Sequence, residues 1–453
     1  MTIVFFDPAS LHPGAASAID REGQALIDAR EVGTLTHGSP SFRSRREVKG
    51  AITDDDLVGE PLFTWSNLAG QTVGRYFPRN GQLVALRENG YRLLRRLVEK
   101  VAAAKPFSSG LSDQFLEVEI FKWWRATVRE EARNPLSAHL LTVCAEAVAP
   151  RRLLIPLSNL EIERPFQLGD VLVTPLGSRL FDDFGADGVA RFPEAASEIR
   201  AEALRMRQEY GHLTAVCVDV IGEREFANQR ARAVAFDMAD FFRFMSPAAA
   251  SRNIVFACFP YGCEHEPSTT VIEVADDKMA HFSEGALNQG FFRWKLSFNE
   301  LDGHMKDGFR NCAVFFGEAP PTGFERRVKT AISAYAQGIA ATDIRNRLIY
   351  AMSAAEHLLL RDDNEPIQSN VGERMAFLIA SEADKRREIV ANFKKAYGFR
   401  SRQVHHLAMI NDEDVLDRFF EHMFMLLTAA MDNMPRYREH ADFLDALDRI
   451  KFS

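Results

Sequence analysis

The chain is predicted to be an α+β protein, with mixed α/β N-terminal and middle regions followed by an all-α helical bundle. Three observations carry that expectation. Apolar residues recur at helical spacing through much of the first 150 residues. Short apolar runs punctuated by Pro and Gly then alternate with helical stretches, and beyond Gly317-Glu-Ala-Pro-Pro-Thr-Gly323 the pattern is almost entirely helical. That heptapeptide stops helices on both sides and reads as a linker. At 453 residues the chain is too long for one ordinary core. The expected regions are 1–150, mainly helical; 151–318, mixed α/β; and 323–453, an α-helical domain.

In order, Ala15 to Arg30 has helical spacing, and His37 to Arg46 is a polar loop with cations enough to touch phosphate or simply to be solvated. Leu93, Leu94, Leu97 and Val101 mark a buried helical stripe, as do Leu116, Ile120, Trp123, Trp124 and Val128. Trp123 and Trp124, flanked by Lys122 and Arg125, suit a core position or a base-stacking platform. A boundary is expected near Ala149-Pro150. Arg152 to Leu157 and Val171 to Pro175 then read as strands, with a turn at Gly169-Asp170.

Asp182-Asp183 and Gly185 to Gly188 lack the spacing and terminal glutamate of a calcium loop and read as a flexible acidic loop. Ala195 to Tyr210 and Phe226 to Met245 read as helices; Leu213 to Ile221, Asn253 to Phe259 and Thr269 to Val274 read as strands. No glycine-rich phosphate loop and no nucleophile elbow occurs. Cys258 and Cys263, with His265 nearby, lack the second ligand pair that zinc requires, so neither metal nor cofactor is expected. After the linker, helices are expected at 324–339, 343–360, 371–380, 384–397, 403–410, 412–431 and 438–450, with Asp412 as an N-cap.

The net charge of −8 and pI near 5.9 exclude a general polyanion coat. Five scattered cysteines suit a reducing compartment. The N-terminus does not read as a signal peptide, and no long uninterrupted apolar run suggests a membrane span, so a cytoplasmic location is expected. Positive charge is concentrated locally. From Asp384 to His406 stand Lys385, Arg386, Arg387, Lys394, Lys395, Arg400 and Arg402 against Asp384 and Glu388 only.

This stretch also holds His405 and His406. Arginine offers a planar fork of donors for phosphate oxygens, and histidine can exchange a proton near neutrality. Those side chains suffice for metal-free RNA cleavage. The 2′-hydroxyl is the nucleophile, histidine does the proton work and arginine stabilises the phosphorane. On one continuous helix, residues five apart diverge by about 140°. A helix end at Gly398 would free Arg400 to fold toward His405. Arg402 and His406, four apart, form a competing pair on one face.

Arg400-Ser-Arg-Gln-Val-His405, together with Ser353-Ala-Ala-Glu-His-Leu-Leu359 and Gly372-Glu-Arg-Met-Ala-Phe-Leu378, resembles the Apea-like branch of the HEPN superfamily over roughly the last 130 residues. It departs where His406 stands in place of the glycine expected after the histidine. The resemblance favours Arg400 and His405 as the catalytic pair and implies that Ser401 orients phosphate or arginine. Glu356 either holds Arg400 or is an ordinary exposed helix charge. Lys394, Lys395, Arg402 and His406 are the expected RNA contacts. The resemblance further implies a homodimer with facing motifs, acting as an endoribonuclease in anti-phage defence or a toxin-type response. The alternative is a HEPN bundle that binds nucleic acid or dimerises without turnover.

Overall fold

The computed structural model describes residues 6–34, 63–66, 72–79, 82–86, 88–263, 268–275, 278–286, 292–362, 364–406 and 412–452. The protein is α+β, and its chain divides into two compact units. The first comprises residues 1–151 with 219–230, the second residues 152–218 with 231–453. The 37–46 loop lies outside the described residues.

In the first unit, α1 (Pro13–Asp28) is followed by β1 (Glu31–Thr34), β2 (Phe63–Ser66), β3 (Thr72–Arg79) and β4 (Gln82–Leu86). These form an antiparallel sheet of order β1-β4-β3-β2. Then come α2 (Glu88–Ala103), α3 (Asp113–Val128) and α4 (Leu136–Ala147). The apolar stripes read from sequence meet here, with Leu94, Val101, Leu116 and Ile120 buried against Leu26 and Leu140. Trp123 and Trp124 are core residues and not a stacking platform, being 7% and 1% exposed. Their indole N–H groups donate to the carbonyls of Asn134 (3.0 Å) and Leu26 (3.1 Å), as buried indoles require. Ser112 caps α3 by accepting from the Phe115 N–H and donates its own hydroxyl to Glu223 at 2.6 Å.

The chain continues through β5 (Ala149–Leu157), β6 (Leu160–Ile162), β7 (Phe166–Leu168) and β8 (Val171–Pro175). Next are α5 (Arg179–Arg191), α6 (Ala196–Tyr210), β9 (Thr214–Gly222) and α7 (Arg224–Met245). The sheet order is β5-β9-β8-β7, and the β7/β8 hairpin turns through Gly169 and Asp170. Gly169 has φ +60°, and a Cβ there would lie 2.5 Å from the Ala313 carbonyl oxygen, so glycine is needed twice over.

Two sequence expectations fail in this region. Residues 182–188 are not a loop but the body of α5. Phe181 is buried, and Gly185 approaches Ala203 of α6 so closely that a Cβ would meet it at 3.0 Å. The acids occupy the outer face, which their charge permits. Asn253 to Phe259 is not a continuous strand: Val255 is an isolated bridge residue, and Leu157 bridges Pro260 just beyond the segment. Its backbone is tied down otherwise, for example by the Phe259 N–H to Ser158 Oγ at 3.2 Å.

β10 (Ser268–Ala275) and β11 (Lys278–Ala286) form a hairpin, while β12 (Trp294–Leu296) runs parallel to β6. α8 (Phe298–Lys306) starts with a capping box of Ser297 and Glu300. The remaining helices are α9 (Gly323–Ala340), α10 (Ile344–Leu359), α11 (Ile367–Ile379), α12 (Ala383–His406), α13 (Glu413–Asn433) and α14 (His440–Phe452). They surround a core that includes Phe324, Leu348, Met375, Phe393, Phe419 and Leu444. Asp412 does cap α13, accepting from the Val415 N–H. No helix among the described residues is long and apolar enough to cross a membrane. Cys258 is buried and Cys263 exposed, and neither is in a disulfide; His265 lies outside the described residues.

Candidate functional site

The candidate site is carried by α12, and its first surprise is continuity. The sequence expects Gly398 to end one helix and a second to begin at 403, but α12 runs unbroken from Ala383 to His406. An interior glycine costs only about 1 kcal/mol relative to alanine. The buried stripe of Ile389, Phe393 and Ala396 offsets that by packing inward. Positions 400 and 405 therefore sit on different faces, about 140° apart and about 7.5 Å along the axis. Gly398 provides no turn that folds Arg400 toward His405.

Helical register sorts the rest into three lines. Arg400 stands seven residues after Phe393, within about 20° of it, so it extends the inward stripe. Lys394, Ser401 and position 405 lie within about 40° of one another on a second line, and Lys395, Arg402 and position 406 on a third. Lys394 and Lys395 are exposed and Ser401 half-buried. The side chains of Arg402, His405 and His406 lie outside the described set, so backbone register alone places them.

Arg400 is half-buried, with its guanidinium carbon 5.9 Å from the centre of the Tyr397 ring. Opposite it on α10 is Glu356, also half-buried. Burial pushes the Glu356 carboxyl up from its ordinary value, and the charge of Arg400 pulls it part of the way back. Glu356 Oε1 and Arg400 Nε are both buried without a hydrogen-bond partner among the described residues. This differs from Arg374 on α11, whose donors are all engaged. Its Nη atoms reach Glu365 at 2.6 and 2.9 Å and the Leu359 carbonyl at 2.7 Å, and Nε reaches Asp448 at 3.0 Å. Arg374 is a structural cross-link; among the described residues, Arg400 Nε is not engaged.

Much of the basic charge near the start of α12 is already committed. Arg387 pairs with Asp384 at 2.7 Å. Arg386 lies over the Phe377 ring at 4.3 Å and donates from Nε to the Ala380 carbonyl. These residues, with Val390, Ala391 and Lys394, line an open groove of about 510 Å³ between α11 and α12. Lys394 and Lys395 remain as exposed cations nearest the motif.

The sequence did not reveal three polar devices that hold these helices in place. One is the Arg374 cluster. The second is Asn392, buried on α12, which donates to the Val415 carbonyl at 2.8 Å while its oxygen lies 3.1 Å from His422 Nδ1. The third is Arg347, 1% exposed, which donates to the Ala248 and Ile254 carbonyls and stacks on Phe420. A polar or charged residue inside an apolar helical stripe is the only signal the sequence offered for any of them. No protein family model, no curated protein and no solved structure matches this chain.

Proposed function

We propose that the C-terminal helices form a metal-independent endoribonuclease of the HEPN type, working as a homodimer. The observation that carries this reading is Arg400, a half-buried arginine whose Nε has no partner among the described residues and which faces a carboxyl of raised pKa, within Arg400-Ser-Arg-Gln-Val-His405. A guanidinium held in place by its surroundings, yet not consumed by a salt bridge, is what phosphorane stabilisation requires. In the reaction, the 2′-oxygen bonds to the adjacent phosphorus as its proton passes to a histidine. The bond from phosphorus to the 5′-oxygen breaks, and that oxygen takes a proton from a second imidazole.

The continuous α12 supports the two-copy arrangement. One copy presents Arg400 and position 405 on faces about 140° apart, whereas two helices meeting across a two-fold axis offer the arginine of one and the histidine of the other to a single phosphate. Glu356 positions Arg400, and Lys394, Lys395 and Arg402 attract the strand. The cellular role that goes with this activity is damage to RNA in defence against phage or in a toxin-type response.

The same register favours a second reading of the pair. Arg402 and His406 are about 40° apart on one face, in line with Lys395, and could act without Arg400.

Purified protein incubated with total RNA in EDTA tests the proposal. Cleavage leaving 2′,3′-cyclic phosphate ends, abolished by His405→Ala, is expected. Loss in His406→Ala with full activity in His405→Ala moves the role to the second pair. RNA binding without cleavage establishes the non-catalytic module, and free 3′-hydroxyl products point to hydrolysis by an activated water instead.

A further inference from the structure

A separate pocket in the second unit, of about 470 Å³, lies where β6 meets β12, away from the α12 motif in sequence. Its volume is within the range of small-molecule sites. The floor is Leu160 and Leu213, both buried. One rim is Asn159, which adopts φ +58°, a region that non-glycine residues seldom occupy. That conformation is fixed by the Asn159 side chain donating to the Ala257 carbonyl at 2.9 Å and by the Trp294 N–H donating to the Asn159 carbonyl at 2.9 Å. Opposite stand the end of α6 and the turn at Tyr261 and Gly262.

The charges in this pocket are unevenly satisfied. Glu161 pairs with Lys295, its register partner across the strands, at 3.1 Å. Glu209 pairs with Arg205 at 2.5 Å and accepts from the Tyr261 hydroxyl at 3.4 Å. Glu161 is thus neutralised, whereas Glu209 shares Arg205 with Glu202. Arg293 and His212 also line the pocket, and neither has a hydrogen-bond or ion-pair partner among the described residues. Tyr261 is 41% exposed, and its ring stands edge-on to Tyr210, with centroids 5.3 Å apart and an interplanar angle of 82°.

We infer that this pocket binds a nucleotide, its phosphate on Arg293 and His212 and its base against Tyr261. Arginine matches phosphate geometry with a fork of donors, and an aromatic face accepts any base. With Glu161 held by Lys295 and Glu209 held beside Arg205, the unengaged Arg293 and His212 are the groups open to an anion. Asn159 and Gly262, held in left-handed conformations, fix the opposing rims before the ligand arrives. The inference stands independently of the ribonuclease reading.

Calorimetric titration of the whole protein with the four ribonucleoside monophosphates tests it, with inorganic phosphate and the free nucleosides as separate arms. At least one monophosphate should bind, at least about tenfold more tightly than phosphate or its nucleoside alone. Arg293→Gln and Tyr261→Ala should each weaken it by about tenfold or more while leaving the unliganded melting temperature unchanged. Absence of binding by all four monophosphates overturns the inference. So does unchanged affinity in both variants, which would put the nucleotide elsewhere, or phosphate binding as tightly as any monophosphate, which would remove the role of the ring.

Discussion

Glu356 on α10 and Arg400 on α12 face one another across a helix interface without satisfying one another. Glu356 Oε1 and Arg400 Nε are buried and unpartnered among the described residues, although the arginine's charge lowers the cost of ionising the carboxyl. Elsewhere in these helices, Arg374 shows what a completed ion pair looks like, with Glu365 and Asp448 both engaged. Buried polar groups are ordinarily paired, so the open Arg400 Nε beside a basic motif is a donor left for an anion.

Glu356 should make stability depend on pH in an unusual direction. Burial raises its carboxyl above its ordinary value of 4.5, so between that value and the raised one the folded chain holds more proton than the unfolded chain. Stability from this group therefore falls as pH rises through that window. Glu356→Gln removes the titration. Its melting temperature relative to the wild type should climb as pH is raised from about 4 to 8, read by scanning fluorimetry across that range. A flat difference would place Glu356 in water, and a declining one would mean that the charge of Arg400 outweighs burial.

Arg374 should behave in the opposite sense. Hydrogen bonds from Arg374 hold the carboxyls of Glu365 and Asp448 below their usual range. Their contribution is fully present above about pH 4.5 and is lost as pH falls through the depressed values. With its side chain 7% exposed, Arg374→Met should cost about 3 kcal/mol at neutral pH, because two carboxylates lose the more buried of their two cations and keep only Arg361. The variant's stability should also fall less steeply than the wild type's below pH 4.5. Urea unfolding at a series of pH values measures both.

Features governed by local chemistry were legible in the sequence; those decided by distant partners were not. Asp412 and the apolar run after it announced α13 because an N-cap and a 3.6-residue period are local signals. The turn at Gly169-Asp170 was visible for the same reason. Gly398 misled because its weak helix propensity is outweighed by the burial of Ile389, Phe393 and Ala396, which composition does not show. The acids of α5 misled because Phe181 and Gly185 alone mark its buried side. At the candidate site, Arg400 and Glu356 could be named in advance. That α12 sends positions 400 and 405 to different faces could be stated only once the helix was known to be continuous.

Glu223 should prove indispensable to the first unit. It is 3% exposed and accepts from the Ser112 hydroxyl at 2.6 Å, the Glu225 N–H at 2.7 Å and the Phe226 N–H at 2.6 Å. It thus joins the start of α7 to the N-cap of α3. Glu223→Ala leaves several buried donors unsatisfied and should destabilise by about 3 kcal/mol. Glu223→Gln keeps one acceptor oxygen and should recover part of that. Denaturant midpoints decide the matter, and an unchanged midpoint in the alanine variant would mean water replaces the carboxylate without cost.

Arg400 gives the sharpest test of the proposed chemistry, since an arginine in a basic segment can do either of two jobs. If it only attracts RNA, Arg400→Lys preserves the charge and should be nearly silent. If it stabilises the phosphorane through a planar fork of donors, lysine lacks that geometry, and the chemical step should slow by about a hundredfold or more. RNA affinity should change little in that case, because Arg400 extends the inward line of α12 while Lys394 and Lys395 remain exposed to the strand. Single-turnover cleavage at saturating protein, alongside binding at fixed salt, separates the two. A slow step with intact binding assigns Arg400 to the transition state. A wild-type rate with lysine at this position would make the motif a basic patch and leave the helices as a binding module.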